Sequence, residues 1–201
     1  KNYLPIGVEK FGIIGNAKIS YIWTQDIKVS RNIAKICNIK FVVKNFIDMI
    51  GKVDGVIIAR DDPENHLMMA EPFIKSKIPV FLDKQLTSSQ KDLKSFFKLV
   101  GPSGKFMACS PMRYNPDISE KEIKKILTKS PRFIHGVSKV SWLRYGHHIM
   151  EGVIKIFGTD ISYIKCCAIN HDHEQVSIKY RSGLTVHLDF VKNINLPIKF
   201  N

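Results

Sequence analysis

Residues 53–86, VDGVIIARDDPENHLMMAEPFIKSKIPVFLDKQL, constrain the fold of this chain more than any other stretch. VDGVIIA is a short β-branched run bounded by charge, the pattern of a buried parallel strand. Asp62 stands where a helix N-cap belongs, with Pro63 at the first helical position and Glu64 in the first turn. PVFLD then reads as a second buried strand whose carboxyl end delivers Lys84 to the rim of the sheet. The stretch thus reads as strand, helix, strand, and ligands of open α/β sheets bind beyond the carboxyl ends of the strands. Two polar clusters fall at such ends, Arg60-Asp61-Asp62 and Asp83-Lys84-Gln85.

The flanking sequence extends the same alternation. Residues 18–26 alternate like a strand ending at Asp26, residues 30–38 place Ile33, Ala34 and Cys37 on one helical face, and Phe41-Val42-Val43 supplies another strand. Residues 45–52 read as a short helix. In the helix after Asp62, His66, Ala70 and Phe73 recur at near-helical spacing, and Pro72 predicts a kink or a restart. Thr87 or Ser88 is placed to cap the next helix, whose stripe Leu93, Phe96, Phe97 and Val100 predicts core packing. Residues 105–110 close this region as a strand.

The second half changes character. A Lys-rich amphipathic helix covers residues 118–128, and a strand-like run covers 133–142. A helix then carries Ile149, Val153 and Ile156 on one face and stops at Gly158. Residues 161–201 read as antiparallel sheet, with a hairpin of strands 176–181 and 184–189 about a two-residue Ser182-Gly183 turn. His171-Asp172-His173 offers two imidazoles on one strand face without a third ligand at a useful spacing, so no metal site is expected.

Composition sets outer limits. The 201 residues carry a net charge of +13 and 44% hydrophobic residues. The excess lysine is scattered singly, without blocks interleaved with aromatics, which argues against a nucleic-acid partner and is compatible with an anionic small ligand. Four cysteines without C-x-x-C spacing predict reduced, mostly buried thiols in a cytoplasmic protein. No apolar run approaches the ~18 residues of a membrane span.

D-G-V-I-I-A, then His66, then P-V-F-L-D-K-Q-L-T together resemble the core of the Gfo/Idh/MocA family of nicotinamide-dependent oxidoreductases. The resemblance implies a Rossmann-type parallel sheet over residues 1–116, followed over residues 117–201 by part of an α+β substrate and oligomerisation domain with antiparallel sheet. Lys84 matches the family's lysine beside nicotinamide and substrate, Asp83 its glutamate, and Gln85 replaces a usual proline. Gly146, His148 and Glu151 match the D-x-G-x-H-x-x-D helix, which puts His148 at the acid/base position. Arg113-Tyr114-Asn115-Pro116 is similar to the family's Arg-Phe/Tyr-x-Pro segment at the domain junction, which offers Arg113 two roles, holding a substrate carboxylate or hydroxyl, or tying two domains together.

Within that frame Asp26 is placed to accept the adenosine ribose hydroxyls, which favours NAD over NADP, and Asp61, His66, Asp83 and Lys84 complete the cofactor set. Residues 11–20, FGIIGNAKIS, read either as a strand with a degraded G-x-G-x-x-G or, preferably, as a chain whose first strand and glycine loop are missing. Such a chain is expected to show little activity by itself, since pyrophosphate needs loop amides and a helix N-terminus.

One departure bears on the chemistry. Arg144 stands four residues before His148, where the family carries an aspartate, and a guanidinium there is expected to disfavour the imidazolium. The implied reaction is hydride transfer between a nicotinamide and a sugar- or cyclitol-like alcohol, in a protein that oligomerises through its C-terminal sheet. The alternative is a non-catalytic sensor of a sugar or dinucleotide on the same scaffold.

Overall fold

The computed structural model describes residues 15–102, 104–139, 141–192 and 199–200, the last two as backbone. The chain is α/β and divides into two compact units, residues 1–82 with 86–107, and residues 83–85 with 108–201.

The first unit is a Rossmann-type arrangement of short parallel strands and helices. Strands β1 (Tyr21–Ile22) and β2 (Phe41–Val42) pair in parallel around helix α1 (Ile27–Cys37). Asp26 caps α1 by accepting Lys28 N–H at 2.8 Å, and Asn38 closes it in the left-handed conformation at φ 52°. A 3₁₀ turn (Phe46–Met49) follows, held by a capping box between Asn45 and Asp48.

A second parallel sheet has the order β3 (Val56–Ile58), β4 (Val80–Asp83), β5 (Phe106–Cys109). Helix α2 (His66–Lys75) forms the crossover and runs through Pro72, and helix α3 (Gln90–Val100) ends at Gly101. Met69, Ala70, Phe73, Ile58, Val80, Leu82 and Phe96 make the buried core of this unit.

Several local expectations need correction. The 18–26 run forms only the two-residue β1 and then an irregular path to the Asp26 cap. Residues 15–20 hold a turn and no helix, while residues 11–14 of the glycine-loop reading lie outside the described residues. Asp62 makes no side-chain cap bond; a 3₁₀ turn (Pro63–Asn65) intervenes, and its carboxylate is taken by Arg60 and Asn65. Ser89, not Thr87 or Ser88, caps α3, while Thr87 holds the Ser89 amide. The α3 stripe is not wholly core, since Phe96 is buried and Phe97 is 71% exposed. Strand β3 is likewise buried only at Ile58, with Ile57 62% exposed.

In the second unit a 3₁₀ turn (Pro111–Tyr114) and helix α4 (Glu120–Thr128, capped by Ser119) precede a five-stranded sheet. The sheet order is β10 (Lys199–Phe200), β6 (Phe133–Lys139), β9 (Thr185–Val191), β8 (His173–Tyr180), β7 (Ile161–Asn170). The ladder is antiparallel along β7, β8 and β9, and β6 adds parallel to β9. The hairpin loop has three residues rather than two, because Tyr180 N–H still reaches Leu184 O at 2.9 Å. Gly183, at φ 95°, takes the position that a side chain would strain.

One sheet face packs Val176, Ile178, Val186, Leu188 and Phe190 against Ile149 and Val153 of helix α5 (Trp142–Phe157). Alternation at period 2 in the strands and 3.6 in the helix produces this core directly. The start of α5 is fixed from a distance: Glu174 on β8 accepts the Trp142 N–H at 2.9 Å, while Ser141 makes no cap bond with its side chain. Gly146 is required where it stands, because a Cβ there would run into the Trp142 ring. Gly158 ends the helix at φ 79°. All four cysteines are free, and of these Cys166 is exposed on β7, contrary to the expectation of mostly buried thiols.

Candidate functional site

The second unit gathers Asp83, Lys84, Ser110, Arg113, His147, His148 and Glu151. Three elements supply them: the carboxyl tip of β4, the 3₁₀ turn after β5 with its cap, and helix α5. Lys84 Nζ lies 3.2 Å from Asp83 Oδ2, both side chains being about 30% exposed. Arg113 Nε donates to Glu151 Oε2 at 2.5 Å, so the guanidinium ties the 3₁₀ turn to α5 within this unit.

Ser110, 1% exposed, caps the 3₁₀ turn by accepting the Met112 N–H at 3.1 Å, and its Oγ lies 2.6 Å from His148 Nδ1. The His147 and His148 rings have centroids 3.9 Å apart, and Tyr145 lies 5.3 Å from His148 on the other helical turn. Both nitrogens of His147 are buried without a hydrogen-bond partner among the described residues.

The electrostatics follow from burial and from one cation. Burial pushes the His148 imidazole below its ordinary value, and the Lys84 ammonium pushes it further, while Asp83 and Glu151 pull the other way. His147 is driven down to about 4, by burial first, then by His148 and Lys84. Two tilted imidazoles in contact thus both have their charged forms opposed, by burial first and by the Lys84 ammonium as well. Burial raises the Cys109 thiol, so this cysteine is an inert neighbour. Arg144 is exposed and is not among the groups acting on His148, so the expected opposition from that guanidinium is replaced by burial and Lys84.

The remaining sequence candidates lie in the first unit. His66 is fully buried, with Nε2 3.1 Å from Arg60 O and Nδ1 3.3 Å from Leu86 O. It ties the chain after β3 to the chain after β4 and presents no open face, which is at odds with a direct cofactor contact. Asp61 is exposed at the end of β3, and Asp62 beside it is held well below the usual carboxylate range by Arg60. Asp26 is exposed at the head of α1. Around His173, Asp189 Oδ1 accepts from His173 Nε2 and Oδ2 from His135 Nε2, each at 2.6 Å, so this imidazole is engaged within the sheet.

Sequence reading missed Ser110 and His147. Ser110 lies 38 residues from His148, and no local pattern links the two. His147 carried a signal, an imidazole in the helix next to the matched histidine.

Compared with known proteins, no family model and no curated protein matches the chain. Its fold is that of solved oxidoreductases. A probable dehydrogenase from Thermotoga maritima superposes with a TM-score of 0.76 at 14% identity, over 92% of this chain and 64% of that one. An apo scyllo-inositol dehydrogenase from Lactobacillus casei gives 0.77 at 13% identity, over 97% and 66%. An oxidoreductase from Agrobacterium radiobacter, in complex with NAD+, L-tartaric acid and magnesium, gives 0.71 at 17% identity, over 90% and 61%. The chain thus spans less than two thirds of the length of each of these structures. Among the described residues no helix is long and apolar enough to cross a membrane.

Proposed function

We propose that this chain provides a nucleotide-binding unit and substrate-domain sheet of a nicotinamide-dependent oxidoreductase of the Gfo/Idh/MocA kind, acting on a sugar- or cyclitol-like alcohol. The observation that carries the reading is the grouping in one unit of Lys84, at the carboxyl tip of a parallel strand, with the contacting imidazoles of His147 and His148, whose charged forms burial and then the ammonium oppose. Perturbed titratable groups gathered at a strand tip are the usual mark of a reacting centre. The superposable structures, among them a scyllo-inositol dehydrogenase, are in keeping with this chemistry.

The residues present suit one end of a dinucleotide. Asp83 and Lys84 offer an acceptor for ribose hydroxyls and a cation beside a polarised oxygen, in a half-buried setting. The phosphates are another matter. Among the described residues no glycine loop opens a helix, and the head of α1 carries the Asp26 carboxylate, which repels a phosphate. In this reading Asp26 would accept ribose hydroxyls, a role that would favour NAD over its 2′-phosphorylated form.

The bound cofactor would supply or accept the hydride. Lys84 would hold the substrate oxygen and stabilise negative charge on it. His148 would contact the same oxygen, Arg113 would brace the site through Glu151, and the C-terminal sheet would serve for assembly. The test is calorimetric titration of NADH and of NADPH into the longest native form of the protein. Saturable micromolar binding with preference for NADH is expected. Binding without turnover of any polyol would favour a sensing protein, and binding of neither would overturn the reading.

A further inference from the structure

We infer that Ser110 is a positioning residue that fixes neutral His148 as its Nε2–H tautomer, so that the ring offers a hydrogen-bond donor at Nε2 rather than a lone pair. The argument is a count of hydrogens. A serine hydroxyl has one hydrogen to donate and two lone pairs. One lone pair of Ser110 Oγ is taken by the Met112 N–H at 3.1 Å.

The hydroxyl is 1% exposed, which keeps water from it, and among the described residues the acceptor it meets is His148 Nδ1 at 2.6 Å. If Nδ1 carried the proton, Ser110 would accept twice and its own O–H would be buried without a partner, the arrangement that folded proteins avoid. The hydroxyl therefore donates, Nδ1 accepts, and the ring proton resides on Nε2. The short separation is that of a direct O–H to nitrogen bond. His147 and Tyr145, at 3.9 Å and 5.3 Å, pack the ring in place.

The consequence rests on the reading that His148 faces the substrate. In its neutral form the imidazole holds a substrate oxygen by donating to it and takes no proton from it. A carbonyl oxygen finds that donor already in place. This reassigns His148 from the proton-accepting part that the sequence resemblance implies.

The tautomer is measured directly, without cofactor or turnover, by long-range ¹H–¹⁵N NMR of the imidazoles at neutral pH, with His148→Gln to assign the signals. The expected result is a pyridine-like Nδ1 and a pyrrole-like Nε2. Ser110→Ala should move both nitrogens towards the averaged values of a free imidazole, and Ser110→Thr, which keeps the hydroxyl, should restore the pattern. A pyrrole-like Nδ1 in the native chain, or an unchanged pattern in Ser110→Ala, would overturn the inference. Failure to bind a nicotinamide dinucleotide would remove the proposed function and leave this result standing.

Discussion

The two units use their polar residues in opposite ways. In the first, the charged and hydrogen-bonding groups beyond β3 are consumed by the fold: Arg60 grips Asp62, Asn65 joins it, and His66 sits between two carbonyls with no exposed surface. In the second, Lys84, His147 and His148 crowd together with their charged forms opposed, and His147 has no partner among the described residues. A histidine matched to a family position is thus no guide to its role until its partners are known. Satisfied polar groups stabilise a fold, and mutually opposed ones do so only at a cost that chemistry or binding must justify.

The contrast predicts a crossed pair of variants, and this is its largest test. If the proposed function holds, Lys84→Ala should abolish turnover while changing stability by no more than about 0.5 kcal/mol, as expected for a partly exposed ion pair. His66→Ala should cost about 2–4 kcal/mol, from the cavity and the unpaired carbonyls, while turnover per folded molecule stays within a few-fold. Urea denaturation beside steady-state kinetics reads both effects. The comparison breaks if either variant shows the other's signature.

A smaller effect concerns pH. His147 has its pKa lowered from 6.5 to about 4 on folding, so between those values the unfolded chain binds more protons than the folded one. Stability therefore rises with pH across that window and is fully present above about 6.5. As pH falls through it, the native state is progressively penalised. In His147→Leu the urea midpoint should vary less between pH 4 and pH 7 than in the native chain. An equally steep dependence in the variant would place the penalty on another group.

Much of this was legible in the sequence for physical reasons. The crossover from β3 to β4, the Gly158 stop and the α5 face of Ile149 and Val153 are local patterns of period and capping. Exposure of Ile57 and Phe97 was not legible, because an apolar residue is buried only where another element covers it. The cap of α5 by Glu174 and the bond of Ser110 to His148 are also invisible locally, since each joins residues more than thirty positions apart.

Arg144 supplies the smallest and most discriminating test, because there the sequence argument and the structure disagree about which charges act on His148. Reading along the helix, a guanidinium four residues before His148 lies on the same face and opposes its protonation. In the folded chain Arg144 is exposed, and the groups that set the imidazole are burial, Lys84, Asp83 and Glu151. A solvated charge is screened over a few ångströms of water, whereas one sharing a half-buried site is not. Arg144→Asp should therefore leave the NMR titration midpoint of His148 within about 0.3 pH units of the native value, the scale of an exposed charge pair. Lys84→Met should raise it visibly, since the ammonium is the charge that holds it down. A rise of a full pH unit in Arg144→Asp would show that the helix-surface charge governs the site after all.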